Sequence, residues 1–159
     1  MSTGACTVGS ELSKEEVLAR VPQQEPFRFI ETIHELDREH IVAGYRFPED
    51  ADFYRGHFPG NPITPGVILV ETMAQAGVVA QGLYLYALEA SEEELEKVVT
   101  VFTDCSVDFS GQVLPGDRVT TTGKVKFFRR MKLRAEVEMK LEDGTVVCSG
   151  ELSGMGVRK

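Results

Sequence analysis

Cysteine is scarce in this chain of 159 residues. Its three copies, Cys6, Cys105 and Cys148, are widely spaced, odd in number and form no CxxC. That pattern indicates neither a disulfide framework nor a zinc site, and a reducing, cytoplasmic setting is expected. Basic residues are in the minority: 17 Lys and Arg face 25 Asp and Glu, giving a net charge of −8. Such a balance argues against non-specific nucleic-acid binding. The opening MSTGACTVGSEL has no basic region followed by an apolar one, so no secretory signal is expected. Its small and polar residues read as a disordered segment over 1–12, with one domain over 13–159. Internal repeats and low-complexity stretches are absent from the sequence. Histidine is rare too. His34 and His40 have no ligand spacing to His57 and read as surface residues, so no metal is expected.

What is present is a clear change of hydrophobic period. Ser13 followed by Glu16 forms a capping box and predicts a helix from Lys14 to about Arg20. Ile41, Ala43, Tyr45 and Phe47 alternate with polar or small residues, as in a half-buried strand. From Val67 to Leu88 apolar residues occupy every face of a helix, which predicts burial all round. The run is long enough to span a membrane. However, Glu71, Gln75 and Gln81 interrupt it, and its flank carries Glu89, Glu92, Glu93 and Glu94, which read as a solvated surface. Beyond it the period becomes two, through Val99–Phe109, Val119–Phe127, Met131–Leu141 and a last strand with Val146, Cys148 and Leu152. One long apolar helix and roughly six antiparallel strands imply an α+β fold in which a sheet wraps the helix, often with a second subunit.

GHFPGNPITPG, residues 56–66, sets one histidine among three glycines and three prolines. Such density fixes a backbone, and His57 has the intrinsic pKa of a general base. Glu71 is the odd residue of the long helix. Burial would raise its pKa and keep it protonated as an acid; the alternative is a carboxylate that snorkels out or pairs with a cation. Gln75, four residues on, could hold that carboxyl or simply pack. Gly66 falls in the first helical turn, where free N–H groups could bind an oxyanion, unless Thr64 caps the turn and consumes the donor. A base, an acid and an oxyanion donor together suit β-elimination of water from a carbonyl compound.

GHFPGNPITPGVILVETMAQA resembles the signature of the bacterial 3-hydroxyacyl-(acyl-carrier-protein) dehydratases, a hot-dog-fold family of fatty-acid synthesis. PFRFIETI resembles the first strand of that family, and VDFSGQVLPGDRV its later strand and turn. The resemblance implies dehydration of (3R)-3-hydroxyacyl thioesters to trans-2-enoyl thioesters without metal or organic cofactor, in a non-isomerising enzyme. It implies a homodimer, assembled further into a trimer of dimers in many members, with acyl carrier protein as partner. His57 and Glu71 are then the catalytic pair, contributed by opposite subunits. Gly66 is the donor to the thioester carbonyl, and Val67, Phe58, Pro59 and Gln75 adjoin the substrate. Within the basic run Lys124–Arg134, Lys126, Arg129, Arg130 and Lys132 are candidates for carrier docking, or else the solvated face of a strand. A hot-dog thioesterase and a non-catalytic acyl-binding module are the alternatives.

Overall fold

The computed structural model describes residues 9–159. Cys6 and the first eight positions of the expected disordered segment lie outside the described residues. Of the remainder, Leu12 is buried and the Glu11 carboxylate accepts from Tyr84 Oη at 2.8 Å. The packed chain therefore starts ahead of the expected boundary at Ser13. The physical reason is local. Leu12 precedes the N-cap Ser13 of helix α1 (Lys14–Arg20) and joins Val17 in one apolar cluster, the arrangement of a hydrophobic staple. The predicted capping box is present, with both Ser13 and Glu16 engaged.

Six strands follow: β1 (Thr32–Leu36), β2 (His40–Arg46), β3 (Val98–Phe109), β4 (Arg118–Arg129), β5 (Lys132–Leu141) and β6 (Val146–Arg158). They form one sheet in the order β1-β2-β4-β5-β6-β3, antiparallel throughout. The alternation read for β5 is realised: Leu133, Ala135, Val137 and Met139 are buried. Met131, read as its first residue, instead lies in the β4–β5 turn. Arg130 and Met131 both take positive φ, 52° and 64°, the geometry by which a two-residue hairpin turn matches strand twist.

The central helix (Gly66–Ala87) is enclosed by this sheet. By length and hydropathy it could cross a membrane, but 61% of its most apolar window is buried within the domain; its apolarity serves a core. A π-helical turn, Gln75–Ala80, interrupts its regular winding. There the helix backbone rests directly on the sheet. A Cβ on Gly123 of β4 would lie 3.0 Å from the Gly77 Cα, and one on Gly77 would lie 2.7 Å from Val137 Cγ1 of β5, so glycine at these positions lets helix and sheet approach closely. The expected solvated glutamates after the helix form a short helix of their own, Glu92–Glu96, under a second capping box from Ser91 to Glu94.

The outer strand β3 is the exception to good cover. Val101, Phe102 and Phe109 remain 43, 47 and 51% exposed on a 12-residue sheet edge. Long apolar edges of this kind are normally paired or covered.

Candidate active site

His57 sits in a loop that follows a single 3-10 turn, Asp52–Arg55. The loop holds itself by its own backbone. The His57 N–H donates to the Phe53 carbonyl at 3.0 Å, and the His57 carbonyl accepts from Ile63 N at 2.9 Å. The imidazole is fixed as well, because Nδ1 lies 2.8 Å from the Ile63 carbonyl oxygen. A carbonyl can only accept, so Nδ1 carries the proton and the neutral ring keeps its lone pair on Nε2. The Phe58 ring stacks on the imidazole with centroids 4.3 Å apart. Phe58 is 52% exposed and Pro59 is exposed.

Glu71 is half-buried in the second turn of the central helix. Burial pushes its carboxyl above the ordinary carboxylate range, and a hydrogen bond from Gln75 partly offsets the rise. Gln75 is fully buried. Its Oε1 accepts from the Phe29 N–H at 2.7 Å, and its Nε2 donates to the Phe27 carbonyl and to Glu71 Oε1, each at 3.0 Å. The Phe29 N–H can only donate, so the amide orientation is determined and the nitrogen faces Glu71. Oε1 of Glu71 is thereby held as an acceptor, which leaves Oε2 as the oxygen that takes a proton when the carboxyl is neutral. No cation pairs with Glu71 among the described residues.

The start of the central helix is uncapped. Pro65, rather than Thr64, is the N-cap, and no side chain caps this end. Thr64 is occupied elsewhere: its hydroxyl lies 2.6 Å from the Tyr54 hydroxyl, with both residues buried. Ile68 and Leu69 both donate to the Pro65 carbonyl. The N–H groups of Gly66 and Val67 have no acceptor among the described residues. Val67 is 76% exposed, and a Cβ on Gly66 would lie 3.2 Å from the Phe109 ring. Glycine at 66 thus admits both the ring and a ligand beside a free donor at the positive end of the helix.

The structure brings Glu71, Gln75, Gly66 and Val67 onto one stretch of helix. Within one chain it makes no hydrogen bond between His57 and Glu71 among the described residues. A cavity of about 250 Å³ lies further along the same helix, lined by Val79, Gly82, Leu83, Tyr86, Leu133 and Gly154 among others; neither His57 nor Glu71 lines it. The basic run is split. Lys126 pairs with Glu151, and Arg134 bridges Glu151 and Asp104. Arg129, Arg130 and Lys132 cluster at the β4–β5 turn without an ion pair among the described residues.

Sequence reasoning did not find Tyr54, and it read PFRFIETI as a strand, whereas β1 begins only at Thr32 and Phe27–Phe29 lie ahead of it. Tyr54 signals itself only as a buried tyrosine three residues before His57. The Phe27–Phe29 segment contributes main-chain groups, which no side-chain pattern reports.

The FabA-like domain family matches residues 21–152. The chain belongs to that family. It is 33% identical over 140 residues, 87% of its own length and 94% of the relative's, to the 3-hydroxyacyl-(acyl-carrier-protein) dehydratase FabZ of Streptococcus pyogenes serotype M3. Among solved structures it resembles a dehydratase heterocomplex, ApeI:P, from Xenorhabdus doucetiae, with TM-score 0.71 and 18% identity, covering 90% of this chain and 91% of that one. A mutant thioesterase from Pseudomonas aeruginosa aligns with TM-score 0.66 and 15% identity over 96% of this chain and 100% of that one. At such identities these two likenesses carry the fold alone. A long helix wrapped by an antiparallel sheet is the hot-dog architecture of this FabA-like chain.

Proposed function

We propose that this FabA-like chain is a hydro-lyase that dehydrates (3R)-3-hydroxyacyl thioesters, borne on acyl carrier protein, to trans-2-enoyl thioesters in fatty-acid or related lipid biosynthesis. One observation carries the reading: two uncapped helix amides stand little more than one turn ahead of a carboxyl whose pKa is raised by burial. His57 Nε2 takes the proton α to the thioester carbonyl. The electron pair passes to the carbonyl oxygen, and the Gly66 N–H, supported by Val67, stabilises the enolate. As the enolate collapses, the C3–O bond breaks and the leaving hydroxyl takes the proton of Glu71 Oε2. The products are the enoyl thioester and water. The proton left on His57 returns to Glu71 through solvent, which resets the site.

His57 and Glu71 act from opposite copies of the chain. Two features support this arrangement: the pair makes no bond within one chain among the described residues, and β3 leaves a 12-residue edge with Val101, Phe102 and Phe109 exposed for a second copy. Phe58 and Pro59 wall the entrance. The alkyl chain runs along the central helix toward the cavity at Gly82, about 16 Å of helix beyond Glu71. Arg129, Arg130 and Lys132 provide the free charge for an acidic carrier, whereas Lys126 is neutralised by Glu151. The setting is cytoplasmic.

The test is a spectrophotometric assay with 3-hydroxyacyl and trans-2-enoyl thioesters on carrier protein and on coenzyme A. Reversible formation of the conjugated enoyl thioester is expected. Release of free thiol without enoyl formation would instead mark a thioesterase.

A further inference from the structure

Tyr54 and Thr64 form an isolated hydroxyl pair inside an otherwise apolar cluster. Tyr54 is 6% and Thr64 3% exposed, and their oxygens are 2.6 Å apart. Thr64 stands two residues before Gly66. A threonine hydroxyl readily accepts from the N–H two residues on, closing a local turn over a helix start. Here that bond is absent: no side chain caps the central helix.

We propose that Tyr54 is a positioning residue that holds the Thr64 hydroxyl away from the helix and so keeps the Gly66 N–H free for substrate. The inference rests on the reading of Gly66 as the oxyanion donor. Its logic is competition. A hydroxyl that bonded Gly66 would satisfy the donor in the resting enzyme, and substrate would have to displace it. The bond to Tyr54 turns Thr64 Oγ1 into the apolar cluster around Tyr54, Leu69 and Val113. The Thr64 N–H is already tied to the Val113 carbonyl at 2.9 Å, so the Thr64 backbone stays in place while its side chain is diverted. The same bond spans the His57 loop, and a simple pin between the two loop ends is the competing account.

Two single variants break the same hydrogen bond and separate these accounts. Tyr54→Phe liberates the Thr64 hydroxyl beside the Gly66 N–H, whereas Thr64→Val removes the competitor. Loss of an oxyanion donor costs ~10²–10³ in rate. Partial occlusion by a local hydroxyl should therefore lower kcat/KM of Tyr54→Phe by roughly 10- to 100-fold. Thr64→Val should stay within a few-fold of the parent despite a lowered thermal midpoint, and the double variant should recover to its level. Amide hydrogen exchange gives a readout independent of activity: Gly66 N–H should exchange more slowly in Tyr54→Phe than in the parent or Thr64→Val. Equal losses of activity in the two single variants would overturn the proposal in favour of the pin, and so would unchanged Gly66 exchange in Tyr54→Phe. If the parent fails to turn over hydroxyacyl thioesters, the dehydratase reading falls. The exchange comparison then still decides whether Tyr54 restrains Thr64.

Discussion

Gln75 and Gln81 lie six residues apart in one helix, at the two ends of its π turn, and both are buried from solvent. Gln75 uses both ends of its amide, on Phe27, Phe29 and Glu71. Gln81 donates to the Asp37 carbonyl at 2.8 Å, and its Oε1 has no partner among the described residues. The first ties the half-buried carboxyl of Glu71 to the Phe27–Phe29 segment. The second tethers the β1–β2 hairpin turn to the core. Burial of a polar group is therefore no index of chemistry in this fold. What separates the two is the carboxyl one turn before Gln75.

The sharpest way to test that contrast is to remove the carboxyl itself. Glu71→Gln should lower turnover by about 10²–10⁴-fold, the usual worth of a general acid. It should also raise the thermal midpoint by a few degrees near pH 8. The folded pKa of Glu71 is raised above its ordinary value of 4.5. Ionising it in the fold therefore costs stability above that value and costs nothing below it. The gain should vanish in acid, and a thermal melt at both pH values checks this.

Gln75→Leu comes next. It strips the donor from Glu71 and orphans the Phe27 carbonyl and Phe29 N–H. Displacement of a catalytic group by ~1 Å can cost about 10²-fold, so a loss of 10- to 100-fold in kcat is expected. The hydrogen bond from Gln75 holds the Glu71 pKa down. The alkaline limb of the kcat/KM profile should accordingly move to higher pH in this variant.

Smaller effects belong to the second half of the helix. Gly82 lines the cavity, and a Cβ there would meet only the Leu133 Cδ2, at an ordinary 3.8 Å. Gly82→Leu should fold and should depress turnover of long acyl chains while sparing short ones. Equal loss at all lengths would remove the cavity from the substrate path.

The smallest effect concerns the hairpin that Gln81 tethers. Hydrogen bonding to Glu35 and the charge of Asp37 raise the His40 pKa above its ordinary 6.5. Its contribution to stability is thus fully present below that value and lost as pH rises through the raised one. His40→Gln should lower the thermal midpoint slightly at about pH 5.5 and not at pH 9.

Much of this was legible in the sequence, for identifiable reasons. The Ser13–Glu16 box places α1 because both its bonds are local. The change of period places the helix against the strands, and β5 obeys its alternation residue by residue. Glu71 stood out because its neighbours are apolar. Long-range polar partners are what remained hidden. Thr64 looks like a cap until Tyr54 is found to hold its hydroxyl. The basic run looks continuous until Glu151 and Asp104, 25 and 30 residues from Lys126 and Arg134 in the chain, neutralise part of it. The π turn and the positive φ of Arg130 and Met131 are set by packing and strand twist rather than by local preference.

On the proposed mechanism, one active site takes His57 from one copy of the chain and Glu71 from another. Mixing inactive His57→Ala chains with inactive Glu71→Gln chains under conditions of subunit exchange tests it directly. Dehydration of a 3-hydroxyacyl thioester should reappear on mixing, because each mixed dimer regains one intact His57–Glu71 pair. A mixture that exchanges subunits fully, shown by mass, and stays as inactive as its two parents would contradict it.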